Sequence, residues 1–500
     1  MARLRTDVAV NLLGQGWAAA ISLLFVPLFV ARLGIEGYAV IALLPLCTSL
    51  IQVLDCGLAL TLNREMARVS AVGTPTATRS AAWTLQAVHL SVGTLLGVAT
   101  IALLPAVGLA WLQQPSLPRA AFREALVVLA IAVAVHWPIP LFQNGLMGLG
   151  RQSRVNGLIA INATILNVGA AAIITLWSPN PAAFLLWAAA CALMHAIALA
   201  LVFWRALPPA RVRPKFEPDY LRSVLRFSGG AAGIGVTGVI LTHLDRLVAS
   251  RLLSLEQFGY YGLAVTIGRS VYLLIAPVFS AAFPRLSALI ARKDYAGLSV
   301  VYSSATQVMC VAIFPLTAVV LWMGFDLAQA WLGNARTARA VSDIAAALAI
   351  GAAINGVMHM PYGLQLASGL TRLGLQINLA LVAMSIPAAV FLCKQFGALG
   401  LALTWPLVNA VYFLVGVPLT HRAVGFGRAL PWFVGDVAPT VLVSFATVGA
   451  VHSVLGVGST RLASTAAVLA GLVLSYAAAA LATDRFRSQL LLWMRGRAVK

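Results

Sequence analysis

The sequence predicts an all-α, polytopic membrane protein of about fourteen helices. Three observations carry this. Of the 500 residues, 61% are hydrophobic and only 10% are charged, against roughly a quarter charged in ordinary globular proteins. Apolar runs of membrane-crossing length recur along the whole chain, each able to span roughly 30 Å of hydrocarbon. The cationic residues are also distributed unevenly between alternate connections, as membrane topology requires.

The apolar runs fall near 8–31, 39–62, 80–105, 125–147, 155–177, 182–204, 224–249, 258–283, 301–325, 341–365, 373–393, 398–420, 433–455 and 462–482. The first, Val8–Ala31, is too long for a signal-peptide core and reads as a retained helix. Cys47, Cys56, Cys191, Cys310 and Cys393 all sit inside apolar runs with no CxxC pattern. They read as polarizable packing residues, so no metal and no cofactor is expected. The net charge of +20 would suit nucleic acid, but its placement points elsewhere. With the N-terminus inside, 24 of the 34 lysines and arginines lie in inner segments and 8 in outer loops. That excess is the positive-inside pattern, with both termini cytoplasmic. Anionic phospholipid headgroups are then the expected partner, and nucleic acid is not.

The longest inner segment, Arg205–Leu221, carries Pro208, Pro209, Pro214 and Pro218 within a basic run and reads as a linker. The segments on either side of it are related. Gly37-Tyr38 matches Gly259-Tyr260 at an offset of 222; Arg64 matches Arg285, and Gly148-Leu149-Gly150-Arg151 matches Gly369-Leu370-Thr371-Arg372, both at 221. An even number of helices per copy makes the repeats parallel, related by an axis along the membrane normal. The expected plan is a six-helix lobe over 1–210, a second over 211–425, and two further helices with a basic amphipathic tail over 426–500. Two such bundles can rock about a shared cavity, which predicts transport by alternating access.

Charges within the runs are the candidate translocation-path residues, since each costs about 2.5–3.5 kcal/mol at a helix centre. Arg269 lies deepest, near the middle of run 258–283. Its guanidinium suits a phosphate group, or a nearby acid such as Asp55 or Asp245. Asp55, in Leu54-Asp55-Cys56-Gly57, and Asp245, followed by Arg246, could each bind a coupling cation or proton, or pair with an arginine. Arg64, at the inner end of the second run, and Asn144, beyond Pro140, complete the candidate path. Asn144, Asn162, Asn167, Asn378 and Asn409 suit sugar hydroxyls or helix bridging. The seven histidines are scattered without metal-ligand spacing and read as hydrogen-bonded packing residues. His136-Trp137-Pro138-Ile139-Pro140 must break the fourth helix. Phe486–Trp493 reads as an interfacial segment.

Together these landmarks resemble the oligosaccharide flippase (polysaccharide exporter) family of the multidrug/oligosaccharidyl-lipid/polysaccharide flippase superfamily. The resemblance rests on Pro27-Leu28-Phe29-Val30-Ala31-Arg32-Leu33-Gly34 with Glu36-Gly37-Tyr38, and on Leu54-Asp55-Cys56-Gly57-Leu58 followed by Leu62-Asn63-Arg64-Glu65-Met66-Ala67-Arg68. It continues with Asp245, Leu255-Glu256-Gln257-Phe258-Gly259-Tyr260-Tyr261, Phe283-Pro284-Arg285-Leu286 and Phe396-Gly397-Ala398-Leu399-Gly400, and covers about 5–425. It implies an O-antigen-type flippase of the bacterial inner membrane, with a V-shaped pair of lobes around a cationic cavity. The implied cargo is an undecaprenyl-diphosphate-linked oligosaccharide of O-antigen or exopolysaccharide, and the implied partner is polysaccharide polymerase machinery. Many relatives have twelve helices; fourteen is familiar from lipid II flippases. A lipid II-type flippase or a drug/cation antiporter is the nearest rival, although Asp55 is the one acid available in the first bundle. A membrane glycosyltransferase or polymerase fits less well. The longest outer loop, Ala106–Glu124, holds little beyond Arg119, Arg123 and Glu124.

Overall fold

A computed structural model describes residues 2–72, 74–113, 116–222, 242–425, 427, 429–458 and 460–483. All regular structure among these is helical. Among the described residues, eleven helical segments are long and apolar enough to cross a membrane, which makes this a multi-pass membrane protein. The expected run at 224–249 lies outside the described residues up to 241, and the tail Phe486–Trp493 lies outside them entirely.

The chain forms two compact units, Met1–Gly259 and Tyr260–Lys500. The first contains α1 (Ala2–Gln52), α2 (Leu58–Val72), α3 (Pro75–Trp111), α4 (Arg119–His136), α5 (Ile139–Gly148), α6 (Gln152–Leu176) and α7 (Pro181–Ala206), followed by a helical stretch over 242–252. The element α8 (Leu255–Gly268) begins at its end. In the second unit lie α9 (Tyr272–Ala291), α10 (Tyr295–Trp322), α11 (Gly324–Leu332), α12 (Ala335–Ala367) and α13 (Thr371–Val411). They are followed by α14 (Val417–Val424), α15 (Ala429–Trp432), α16 (Ala438–Leu455) and α17 (Arg461–Ala482).

Two of these elements are double. Non-helical backbone at Gly34 (φ 71°) divides α1, and at Gly397 (φ 62°) it divides α13. Both dihedrals lie where an L side chain is disfavoured, so glycine sets each break. Other boundaries follow familiar end chemistry. Thr74 caps α3 and Asn180 caps α7, each followed by proline at the first helical position, while Asp294, Asn334 and Thr460 cap α10, α12 and α17.

In the first unit α1 packs on α6, α3 on α4, α4 on α7 and α2 on α5. Leu62, Met66, Leu85, Leu141, Leu146 and Phe203 form a fully enclosed core between them. The proline-rich segment after α7 is strapped along the start of α3. Arg79 donates to the Pro208 carbonyl (3.2 Å), and the Lys215 and Glu217 amides donate to the Ser80 and Thr84 hydroxyls (3.2 and 3.0 Å). Tyr220 donates to the buried carboxylate of Glu65 at 3.1 Å, which Arg68 also contacts at 2.7 Å.

In the second unit α12 is central, packed against α9, α10, α11, α13 and α14. Its run of small residues, Ala345, Ala346, Ala349, Gly351, Ala352, Ala353 and Gly356, is buried and lets neighbouring backbones approach closely. The pair α16–α17 packs on α10 and α11. Asp326 of α11, fully enclosed, accepts hydrogen bonds from the Gly458 amide and the Ser464 hydroxyl, both at 2.8 Å. Outward-facing residues are apolar, Leu95 (77% exposed) and Leu442 (69%) among them, as lipid contact requires.

Candidate functional site

Each unit holds a polar cluster inside its apolar helices. In the first, the second helix does not run through Asp55 as the sequence reading expected. It is interrupted by a 3-10 turn at Val53–Asp55, with Cys56 (φ 49°) and Gly57 (φ 78°) in left-handed backbone before α2 resumes. The interruption frees peptide groups, and the Asp55 carboxylate takes one of them, accepting from the Ala59 amide at 2.9 Å. Its other oxygen lies 2.7 Å from His89 Nδ1 on α3, a charge contact rather than an aligned hydrogen bond. His89 is 1% exposed and Asp55 13%. The acid thus has a histidine partner, where an arginine was the expected structural alternative.

His89 is held on its far side by a second interruption. The chain breaks between α4 and α5 at Trp137-Pro138, as the two prolines predict. Trp137 Nε1 donates to the His89 carbonyl (2.9 Å), His89 Nε2 stands 3.2 Å from the Trp137 carbonyl, and the rings stack at 4.9 Å. Because a carbonyl only accepts, this contact calls for a proton on Nε2, and since two bare acceptors repel at 2.7 Å, the Nδ1–carboxylate contact calls for a further proton between them. Gly93, one turn beyond His89, makes the seat possible: a Cβ there would stand 2.1 Å from the indole. One acid, one imidazole and two interrupted helices are therefore joined in one enclosed polar cluster.

In the second unit Arg269 also sits at an interruption, a 3-10 turn over Arg269–Val271 between α8 and α9, where the sequence reading expected continuous helix. Its guanidinium lies over Trp405 of α13 at 5.8 Å. From Trp405 a hydrogen-bonded chain runs inward. Trp405 Nε1 donates to the Tyr272 hydroxyl (3.1 Å), Tyr272 to Asn355 Oδ1 (3.2 Å), and Asn355 Nδ2 to Asn409 Oδ1 (2.8 Å). Asn409 Nδ2 closes the circuit on the Trp405 carbonyl at 2.8 Å. Beside it is a hollow of about 180 Å³ lined by Asn355, Met358, His359, Tyr362, Asn378 and Tyr412.

A family model described as "Polysaccharide biosynthesis protein" matches residues 4–290. The chain belongs to that family. Among curated proteins it is similar to a "Putative O-antigen transporter" of Shigella flexneri, 20% identical over 181 residues, 36% of this chain. The match spans 42% of that relative's length. Among solved structures it has the fold of the lipid II flippase MurJ in an inward closed conformation, with a TM-score of 0.75 at 12% identity, covering 97% of this chain and 100% of that one. An inward-facing multidrug resistance MATE family transporter of the MOP superfamily gives 0.66 at 14% identity, over 84% and 97%. The MATE multidrug transporter DinF-BH gives 0.59 at 15% identity, over 84% and 95%.

In this polysaccharide biosynthesis family member the expected path residues are distributed unequally. Asp55, Arg64, Asn144, Asp245 and Arg246 belong to the first unit and Arg269 to the second. Arg64 is exposed on α2, next to Asn63, which donates to Asn144 at 3.4 Å while Asn144 donates to the Pro140 carbonyl. Asp245 and Arg246 are half-buried on the 242–252 stretch. Asn167 bridges to Ser22 and Asn409 to Asn355, so these two amides join helices; Asn378 lines the hollow. Tyr272, Asn355 and Trp405 are not marked by the sequence, which gives Trp137 only as part of a helix break and His89 only as a packing histidine. The available signals were weak: a histidine four residues before a glycine on α3, and a tryptophan next to proline on α13.

Proposed function

We propose that this protein is a flippase that carries undecaprenyl-diphosphate-linked oligosaccharide repeat units, of the O-antigen or exopolysaccharide kind, from the cytoplasmic to the periplasmic leaflet of the bacterial inner membrane. The observation that carries the reading is the Arg269–Trp405 site. A guanidinium set at a helix interruption and backed by an indole is a permanent cation suited to a diphosphate. The family membership and the whole-length likeness to a flippase fold support it. The two lobes are read as 1–210 and 211–425, with 426–500 as the addition, fourteen crossings in all and both termini cytoplasmic. They alternate access by rocking about the repeat axis, and the chain carries out no covalent chemistry on its cargo.

Asp55 and His89 form the coupling element in this reading. A proton entering the pair is driven inward by the membrane potential at about 2.3 kcal/mol per charge per 100 mV, and its arrival changes the contact that ties α2 to α3. The partners expected on the two faces are anionic headgroups and, outside, polysaccharide polymerase machinery.

Deletion of the gene is the test. Lipid-linked repeat units then accumulate on the cytoplasmic side, periplasmic polymer is lost, and the wild-type chain restores it. Normal periplasmic delivery in the deletion strain sinks the proposal. The same acid–imidazole pair also favours a second reading, proton-coupled antiport of drugs. In that case the deletion strain becomes sensitive to cationic drugs while its polysaccharide is unchanged.

A further inference from the structure

The hollow beside the Arg269 chain differs in its lining from two larger, almost wholly apolar cavities and from a third that carries the Arg285 guanidinium. The cavity lined by Phe314, Ile354, Phe413, Phe433, Val441 and Phe445 is apolar throughout. Five of the six residues around the 180 Å³ hollow instead carry polar groups: two amides, an imidazole and two phenols. None is a carboxylate, an ammonium or a guanidinium. In a helix bundle facing lipid, five convergent polar side chains with no charge among them are a costly arrangement unless something polar fills the space.

His359 Nδ1 lies 2.9 Å from the Asn355 carbonyl; the carbonyl only accepts, so Nδ1 carries a proton, and in the neutral ring Nε2 is an acceptor. Phe279 stands edge-on to the same ring at 5.7 Å. Asn355 is locked by its bonds to Tyr272 and Asn409, so it shapes the wall rather than reaching for a ligand. The groups left to meet one are the His359 acceptor, the Asn378 amide and the hydroxyls of Tyr362 and Tyr412. Tyr412 opens a π-helical turn, Tyr412–Gly416, a form that concentrates at functional sites. Its ring lies where a side chain on Gly416 would be, 2.4 Å from the position of a Cβ.

We propose that this hollow is a subsite for one uncharged sugar residue of the cargo, recognised through its hydroxyl or acetamido groups. This rests on the flippase reading above. A mixed set of acceptors and donors between aromatic walls matches a neutral saccharide, whose hydroxyls both give and take hydrogen bonds. A metal ion or free phosphate would need opposite charge, and the lining has none. The volume, below the roughly 300–1,000 Å³ of drug-sized pockets, suits one ring and not a whole repeat unit. Arg269, joined to Asn355 through Trp405 and Tyr272, then holds the diphosphate while the hollow reads the sugar.

The experiment compares two probes on the full chain in nanodiscs: undecaprenyl diphosphate alone, and the same lipid carrying one N-acetylhexosamine. Wild type binds the glycosylated probe more tightly. Asn378→Ala removes about tenfold of affinity for it, the value of one lost hydrogen bond, and leaves the bare lipid unaffected. Tyr362→Phe, which deletes only a hydroxyl and keeps the packing, moves the same probe in the same direction. Arg269→Ala weakens both probes. If wild type binds both probes equally, or if Asn378→Ala and Tyr362→Phe leave their ratio unchanged, the subsite falls and the flippase reading stands. If wild type binds neither, the flippase reading falls and the subsite with it.

Discussion

The carboxylate of Asp55 and the Nδ1 of His89 lie 2.7 Å apart, each at a place where a membrane helix is interrupted or abuts an interruption. Neither group has water within easy reach, since the side chains are 13% and 1% exposed. Such a pair is stable only as a pair. Removing one member leaves the other buried and uncompensated, at a cost of about 3–5 kcal/mol.

The first prediction follows. His89→Ala and Asp55→Ala each lower the melting temperature of the purified protein by several degrees and abolish transport. Asp55→Asn keeps an acceptor for the Ala59 amide, so it folds better than Asp55→Ala while still failing to transport. Equal melting temperatures for Asp55→Asn and Asp55→Ala would contradict this account of the interruption.

Gly93 provides an independent handle on the same cluster. A Cβ at that position would stand 2.1 Å from Cδ1 of Trp137, far inside van der Waals contact. Gly93→Val must therefore push the indole off His89, at about 1–3 kcal/mol for overpacking. Trp137→Ala in the same chain makes room and relieves part of the loss. Thermal stability of the single and double variants checks the coupling, and additive losses would show that the two residues do not meet.

The helices themselves were legible because hydrophobic runs and capping residues are local signals. Trp137-Pro138 was legible for the same reason, since proline cannot continue a helix. The interruptions at Asp55 and Arg269 carry no proline at the turn itself and left no such mark. What stabilises them is tertiary: a histidine 34 positions away for Asp55 and a tryptophan 136 positions away for Arg269. Asn355 was invisible as a site residue because one amide in a long apolar run reads the same whether it bridges helices or lines a hollow. Here it does both. The role of Asp326 has no local mark for a related reason: it directly follows the apolar run 301–325, and its partners Gly458 and Ser464 lie far along the chain.

Asp326 supplies the third prediction. Fully enclosed, it accepts from both Gly458 and Ser464 and so ties α11 to the start of α17. Charge-assisted hydrogen bonds contribute about 1.5–3 kcal/mol each. Asp326→Ala loosens the α16–α17 pair and lowers thermal stability strongly, whereas Ser464→Ala removes one bond and costs less. Limited proteolysis near Gly458 becomes faster in the order wild type, Ser464→Ala, Asp326→Ala. A reversed order would remove Asp326 as the anchor.

The linker gives a pH-dependent prediction. Burial of Tyr220, and after it the adjoining Glu65 carboxylate, raise its hydroxyl above the ordinary value near 10. A folded-state value above the unfolded one means that docking is at full strength below pH 10 and weakens as the pH rises beyond it. Tyr220→Phe loses the bond to Glu65 at every pH. Tryptic cleavage at Arg211 and Lys215, both exposed on the strap, is therefore slower in wild type than in Tyr220→Phe at pH 8. The ratio of the two rates approaches one above pH 10. A ratio that stays constant across this range would mean that the hydroxyl does not hold the strap.

Arg269 separates charge from shape. Lysine preserves the charge but has neither the planar fork that grips two phosphate oxygens nor the flat face that lies on Trp405. Arg269→Lys should then retain a small fraction of transport, Arg269→Ala none, and Trp405→Leu an intermediate level because the guanidinium survives without its backing. Cation–π stacking contributes about 0.5–2 kcal/mol, so loss of this contact alone leaves each variant folded, which its melting temperature checks. The decisive measurement is complementation of the deletion strain alongside those melting temperatures. If Arg269→Lys transports as well as wild type, a point charge suffices at this position and the forked grip on a diphosphate is wrong. If Arg269→Ala transports normally while folded, the arginine belongs to packing alone, and the cargo must find its cation on another helix.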